Sequence, residues 1–116
     1  MKLKYLEIVT PDVDATCSTL EAVHGVTFSE PVEQVGNARV ASLEGGGAIG
    51  VRAPMDDAEQ PVVRPFLETT ALAAAIESAS DCDAEIALPS KDIAGRGFAG
   101  VYVQGGHLYG LWQGGA

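Results

Sequence analysis

Residues 3–9, Leu-Lys-Tyr-Leu-Glu-Ile-Val, alternate as a strand with two differently used faces: Leu6 and Ile8 share one, and Tyr5, Glu7 and Val9 the other. Thr10-Pro11-Asp12 breaks that strand. Val13, Cys17, Leu20 and Val23 then recur at helical spacing as far as His24-Gly25, where the glycine ends the predicted helix. Short strands are predicted over 26–28, ahead of Glu30-Pro31, and over 38–43. Gly45-Gly46-Gly47 supplies the positive φ values of a tight turn into a fourth strand, Ala48–Arg52.

The segment 53–61 holds Pro54 and Pro61 around Asp56, Asp57 and Glu59, and reads as a linker. Beyond it the order of elements repeats. Val62–Glu68 reads as a strand, 72–80 as an Ala-rich helix, 85–88 as a strand, and 98–104 with 108–113 as a hairpin. Glu44-Gly45-Gly46-Gly47-Ala48-Ile49-Gly50-Val51 aligns without gaps with Gln104-Gly105-Gly106-His107-Leu108-Tyr109-Gly110-Leu111, as a duplicated unit would. The expectation is one α+β domain of two βαβββ modules, 1–52 and 62–116. Together they would form a curved, mostly antiparallel mixed sheet around a cleft.

Composition narrows the classes. A chain of 116 residues with 47% hydrophobic and 20% charged positions has the balance of one globular domain. Sixteen acidic residues against 7 basic ones give a net charge of -9, and no Lys/Arg cluster interrupts it, so nucleic acid is not an expected partner. The same field draws cationic or neutral ligands, although it also serves plain solubility. No apolar run approaches the ~20 residues of a bilayer span, and no signal-peptide pattern opens the chain, so neither a membrane partner nor secretion is expected. A cytoplasmic location follows, with Cys17 and Cys82 as reduced structural thiols.

The strand, Pro-Asp turn, helix closing at His-Gly and three further strands, repeated once, resemble the vicinal oxygen chelate superfamily of glyoxalase I, extradiol dioxygenases and bleomycin-resistance proteins. The local likeness lies in Tyr5-Leu6-Glu7-Ile8-Val9-Thr10-Pro11-Asp12-Val13-Asp14-Ala15 and in Gly106-His107-Leu108-Tyr109-Gly110-Leu111-Trp112. The resemblance implies the paired-module sheet, and a homodimer in which the long linker permits modules to exchange.

Metal-using members of that superfamily carry His, Glu or Gln on the first and fourth strands of each module. The matching positions here are Tyr5, Gly50, Arg64 and Gly110, none of which supplies a ligand suited to a hard divalent cation. A slip of two residues offers Glu7 with Glu68 or Phe66 instead. No bound metal and no cofactor are expected.

By strand alternation Tyr5 and Glu7, and in the second module Arg64, Phe66 and Glu68, face the side of the sheet away from the helices. Arg52 and Trp112 stand two residues beyond Gly50 and Gly110. These seven residues are the candidate ligand contacts, with sheet packing, solvent exposure or ion pairing as the alternative roles. Gly50 and Gly110 leave room for a ligand ring beside Trp112, or else they relieve strand curvature or admit a neighbouring chain. Arg39 and Tyr102 are further residues within reach of the cavity. Gly95-Arg96-Gly97 reads as a mobile rim or turn, and His24 and His107 as separate, exposed groups. No catalytic constellation assembles.

The leading expectation is a metal-free small-molecule-binding protein of the glyoxalase/bleomycin-resistance type, sequestering a hydrophobic or cationic natural product. The alternative is a lyase, isomerase, dioxygenase or hydroxylase of that superfamily, metal-dependent or using Glu7 or Glu68 as general base. A third reading is a subunit of a larger complex.

Overall fold

The computed structural model describes residues 1–114, so the last two positions of the expected second module lie outside the described residues. The chain divides into two compact units, Tyr5–Val63 and Met1–Lys4 with Arg64 onward. The fold is α+β, and each unit carries four strands and one α-helix among the described residues.

The first unit contains β1 (Leu3–Val9, whose first two residues group with the second unit), α1 (Val13–His24), β2 (Pro31–Val32), β3 (Ala38–Ser42) and β4 (Ala48–Arg52). The strand order is β2-β3-β4-β1, antiparallel except for the parallel β1–β4 pair. A parallel return needs a crossover connection, and α1 supplies its helical part. The helix begins where Thr10 Oγ1 accepts from the Asp12 amide at 3.1 Å. It stops at Gly25, whose φ of +69° is left-handed and whose N–H donates to the Glu21 carbonyl at 2.9 Å.

Cys17, fully buried, packs with Phe28, Ala41 and Val51, and around them lie Ile8, Val13, Leu20, Val26 and Ile49. Ile8, Ile49 and Val51 thus mark the helix side of the sheet, and Tyr5, Glu7, Gly50 and Arg52 the other. Burial pushes the Cys17 thiol above its ordinary pKa, as suits a packing residue.

The expected strand over 26–28 does not form. Phe28 is buried, but its amide donates to Glu21 Oε2 of α1 at 2.9 Å, so that donor is unavailable to a ladder. Pairing starts only when the Ser29 amide reaches the Val40 carbonyl at 2.9 Å, and the strand itself is the short β2, followed by a 3-10 turn, Glu33–Val35. The β3–β4 turn has positive φ at Gly45, Gly46 and Gly47, as the sequence suggests.

The second unit contains β5 (Val62–Glu68, its first two residues grouping with the first unit), α2 (Leu72–Asp81), β6 (Glu85–Ile93), β7 (Gly97–Gln104) and β8 (His107–Gln113), in the order β5-β8-β7-β6 with β5–β8 parallel. Strand β6 runs five residues beyond the expected 85–88, through Pro89, with register shifts between Ile86 and Leu88 and between Leu88 and Lys91. A proline is tolerated in this way on an outer, irregular strand.

Helix α2 sits close on β7 because Gly100 has no side chain there: a Cβ would lie 3.1 Å from Leu72 Cδ1 and 3.2 Å from Ile76 Cδ1. Gly100 and Tyr102 therefore mark the helix side of this unit, and Phe66, Gly110 and Trp112 the opposite side. No helix among the described residues is long and apolar enough to cross a membrane.

Candidate functional site

On the first unit's face opposite α1, β1 and β4 run in parallel register with Tyr5 opposite Ala48, Glu7 opposite Gly50 and Val9 opposite Arg52. Tyr5 is buried, and its ring reaches diagonally along the sheet onto Gly50. A Cβ on Gly50 would fall on the phenol oxygen and Cζ of Tyr5, with Tyr5 Cε1 at 3.0 Å. The second unit repeats the device with a shorter reach. Phe66 stands directly opposite Gly110, and a Cβ there would lie 2.7 Å from Phe66 Cε1.

The space that the sequence assigned to a ligand ring over Gly50 and Gly110 is therefore filled by the chain's own aromatics. The glycines are small because Tyr5 and Phe66 need the volume. Trp112 does lie beside Phe66, with ring centroids 5.8 Å apart and planes at 83°, the edge-to-face arrangement favoured by aromatic quadrupoles. Its indole Nε1 donates to the Arg96 carbonyl at 2.7 Å. The Gly95-Arg96-Gly97 turn that offers this carbonyl is tied down twice, since the Arg96 amide also donates to the Ile93 carbonyl at 2.7 Å. Gly97, at φ +102°, runs against the backbone of Gln113 and Gly114, where no other residue fits.

Arg52 is the one buried charged side chain among the described residues, at 4% exposure. Its Nε donates to Glu7 Oε2 at 3.0 Å, and its Nη1 and Nη2 donate to the two oxygens of Glu59 at 2.8 and 2.7 Å. The Glu59 hydrogen bonds, opposed by burial and aided by Glu7, raise the guanidinium's pKa above its ordinary value. Two carboxylates thus face one cation, and the side chains of Arg52, Glu7 and Glu59 are 5, 12 and 22% exposed.

Glu59 was not among the sequence candidates. It lies in the Pro-flanked acidic segment 53–61, where no periodicity marks a side chain as inward. That segment groups with the first unit, and Met55 contributes an amide to Glu59 Oε1 at 2.8 Å.

The remaining candidates divide. Glu68 is exposed, in register opposite Trp112, and Arg64 is half-buried on the same strand. Arg39 and Tyr102 point the wrong way to join either face. Arg39 Nη1 pairs with Asp14 of α1 at 2.9 Å, and Tyr102 stacks on Tyr109 on the α2 side, with centroids 5.3 Å apart. Pairing of Arg39 opposite Val51 fixes the parity of β3, and pairing of Tyr102 opposite Tyr109 fixes that of β7. His24 and His107 are exposed and belong to different units.

The residues at the superfamily's metal positions do not fit an ion. Tyr5 is committed to covering Gly50, Arg64 is a cation, and Gly50 and Gly110 carry no donor. The register makes Glu7 and Phe66 counterparts, each opposite a fourth-strand glycine, and Glu7 is held by Arg52. Among the described residues no three His, Cys, Asp or Glu side chains gather as a metal site.

Two stability measurements check this geometry. In a double-mutant cycle, Gly110→Ala and Phe66→Ala each destabilise by about 1–4 kcal/mol, and the double variant loses clearly less than their sum because truncating the ring removes the collision. Additive losses in chemical denaturation would contradict the covering. Arg52→Met, which strands two carboxylates, lowers stability by about 3–5 kcal/mol. Arg39→Met, whose partner Asp14 is 91% exposed, changes it little.

No protein-family model matches the chain, and no curated protein sequence matches it. Solved structures do. A hypothetical protein from Bacillus halodurans C-125 superposes with a TM-score of 0.75 at 12% identity, over 99% of this chain and 95% of its own. Methylmalonyl-CoA epimerase from Mycobacterium tuberculosis gives 0.74 at 16% identity, over 98% and 88%. A glyoxalase/bleomycin resistance protein/dioxygenase superfamily member from Vibrio splendidus 12B01 gives 0.66 at 14% identity, over 97% and 100%. With its repeated strand order and paired parallel strands, the chain has the vicinal oxygen chelate fold.

Proposed function

We propose that the chain is a metal-free small-molecule-binding protein of the glyoxalase/bleomycin-resistance type, which takes up a hydrophobic or cationic natural product. The observation that carries the reading is the covering of Gly50 by Tyr5 and of Gly110 by Phe66. Two of the four positions that hold ion ligands in metal-using members, Gly50 and Gly110, are here glycines under aromatic rings. The ligand contacts are Tyr5, Glu7 and Arg52 in the first unit and Arg64, Phe66, Glu68 and Trp112 in the second. The net charge of -9 adds a field that concentrates cations. The protein acts in the cytoplasm as a homodimer.

The likeness to methylmalonyl-CoA epimerase favours one second reading, catalysis with Glu7 or Glu68 as general base. Against Glu7 stands its hydrogen bond to Arg52, which engages an oxygen that a base would need. Against Glu68 stands its exposure, which provides no enclosure for a substrate.

The deciding experiment is a thermal-shift screen with planar natural products, followed by titration of the intrinsic fluorescence of Trp112, the chain's one tryptophan. Binding raises the unfolding midpoint, by the free energy of about 2.7 kcal/mol expected at a hundredfold excess over Kd, and moves the Trp112 emission. No stabilisation across a broad library, or substrate turnover that is lost in Glu7→Gln or Glu68→Gln, would overturn the reading.

A further inference from the structure

We infer that the second unit carries a separate ligand groove on its α2 side, which takes a neutral molecule with a flat apolar body and a carbonyl oxygen for the Gln113 amide. None of the seven candidate contacts lines this groove. It goes beyond the binding reading above and does not depend on it.

The groove has a volume of about 450 Å³ and lies between the first turns of α2 and the start of β7. Small-molecule sites commonly measure about 300–1,000 Å³. Leu72, Ala73 and Ile76 form its helix wall, and Phe98, in step with Gly100 on β7, lies on the facing sheet. On the outer side β6 bulges. Pro89 and Ser90 together stand against the single residue Gly100, between the pairs Leu88–Val101 and Lys91–Ala99. An extra residue of this kind re-aims the side chains beside it, and here Pro89 and Ser90 both line the groove. The Phe98 ring is 44% exposed, although Leu72 of the helix wall is only 4% exposed.

Gln113, opposite Phe98 on β8, gives the groove a polar end. Helix α2 has no side-chain cap from Ala71, and the Leu72 amide donates instead to Gln113 Oε1 at 2.6 Å. An amide donor requires the oxygen, so the orientation of this side chain is settled. What it has left to offer is its NH2, a pure donor. A ligand carbonyl supplies the matching acceptor. The rest of the ligand is uncharged, because among the described residues no charged side chain lines the groove, and an ion there loses hydration without gaining a partner. A flat body suits the exposed Phe98 ring, which stacks on a second ring or meets its edge.

The test titrates the 15N-labelled protein with acetophenone, benzoate and benzylammonium at matched ionic strength. Acetophenone shifts the amides of Ala73, Ser90 and Phe98 and the Gln113 side-chain NH2 saturably, with a Kd of about 1–10 mM for so small a ligand. Benzoate and benzylammonium leave these signals in place. Gln113→Glu keeps an oxygen for the Leu72 amide but replaces the free donor by an acceptor. The helix stays capped, acetophenone binds about fivefold more weakly or worse, and benzylammonium now shifts the same amides. Phe98→Ala truncates an exposed ring and also weakens acetophenone, and it carries the test if Gln113→Glu does not fold. Acetophenone shifts confined to other amides, undiminished affinity in Gln113→Glu or in Phe98→Ala, or equal shifts with benzoate would each remove the proposal. The natural-product screen reads Trp112 on the opposite face, so the two readings fail separately.

Discussion

Each unit of this chain is organised around a collision that glycine avoids. Tyr5 and Phe66 occupy the volume above Gly50 and Gly110 where a Cβ would have to sit, so ring and glycine specify each other. From this follow the burial of both rings, the edge-to-face seat of Trp112 on Phe66, and the anchoring of Trp112 by the Arg96 carbonyl. It also removes two strand positions from coordination chemistry, since a donor side chain cannot share that space. The two units reach the same end differently: Tyr5 leans diagonally from its place opposite Ala48, and Phe66 acts straight across the parallel pair.

The buried charge is subordinate to that packing and sits next to it. Arg52 continues the strand beyond Gly50 and emerges on the same face, where Glu7 lies alongside. A desolvated guanidinium demands acceptors, and the sheet supplies only part of what its five N–H groups require. The acidic segment 53–61 completes the set through Glu59, and the Ala53 carbonyl adds a contact at 3.2 Å. A chain that is acidic overall therefore concentrates one cation and two anions on a single sheet face.

The fold was legible because its signals are local and repeated. Period-two alternation in 3–9, helical spacing from Val13 to Val23 and the glycine turns each have one physical meaning, and their recurrence exposed the duplication. Side-chain direction on β1, β4, β5 and β8 followed from alternation as well, so Tyr5, Glu7, Arg52, Phe66 and Trp112 all lie on the expected faces. Three features resisted. The amide of Phe28 is taken by Glu21, a contact between a helix and a loop that no periodicity announces. The parity of Arg39 and Tyr102 depends on the registers of β3 and β7, which the sequence leaves open. Glu59 lies in a segment whose composition reads as solvated linker, and only the geometry of Arg52 shows why one of its acids turns inward.

Aromatic packing stands over Gly50 and Gly110, where a donor side chain would have to sit to hold an ion. Titrating the 15N-labelled protein with Mn2+ and following paramagnetic broadening of amide signals tests it most directly. Broadening is expected only at solvent-exposed carboxylates such as Asp56 and Asp57, with the Gly50 and Gly110 amides no more affected than the core. Selective loss of the Gly50 and Gly110 signals at substoichiometric Mn2+ would contradict it.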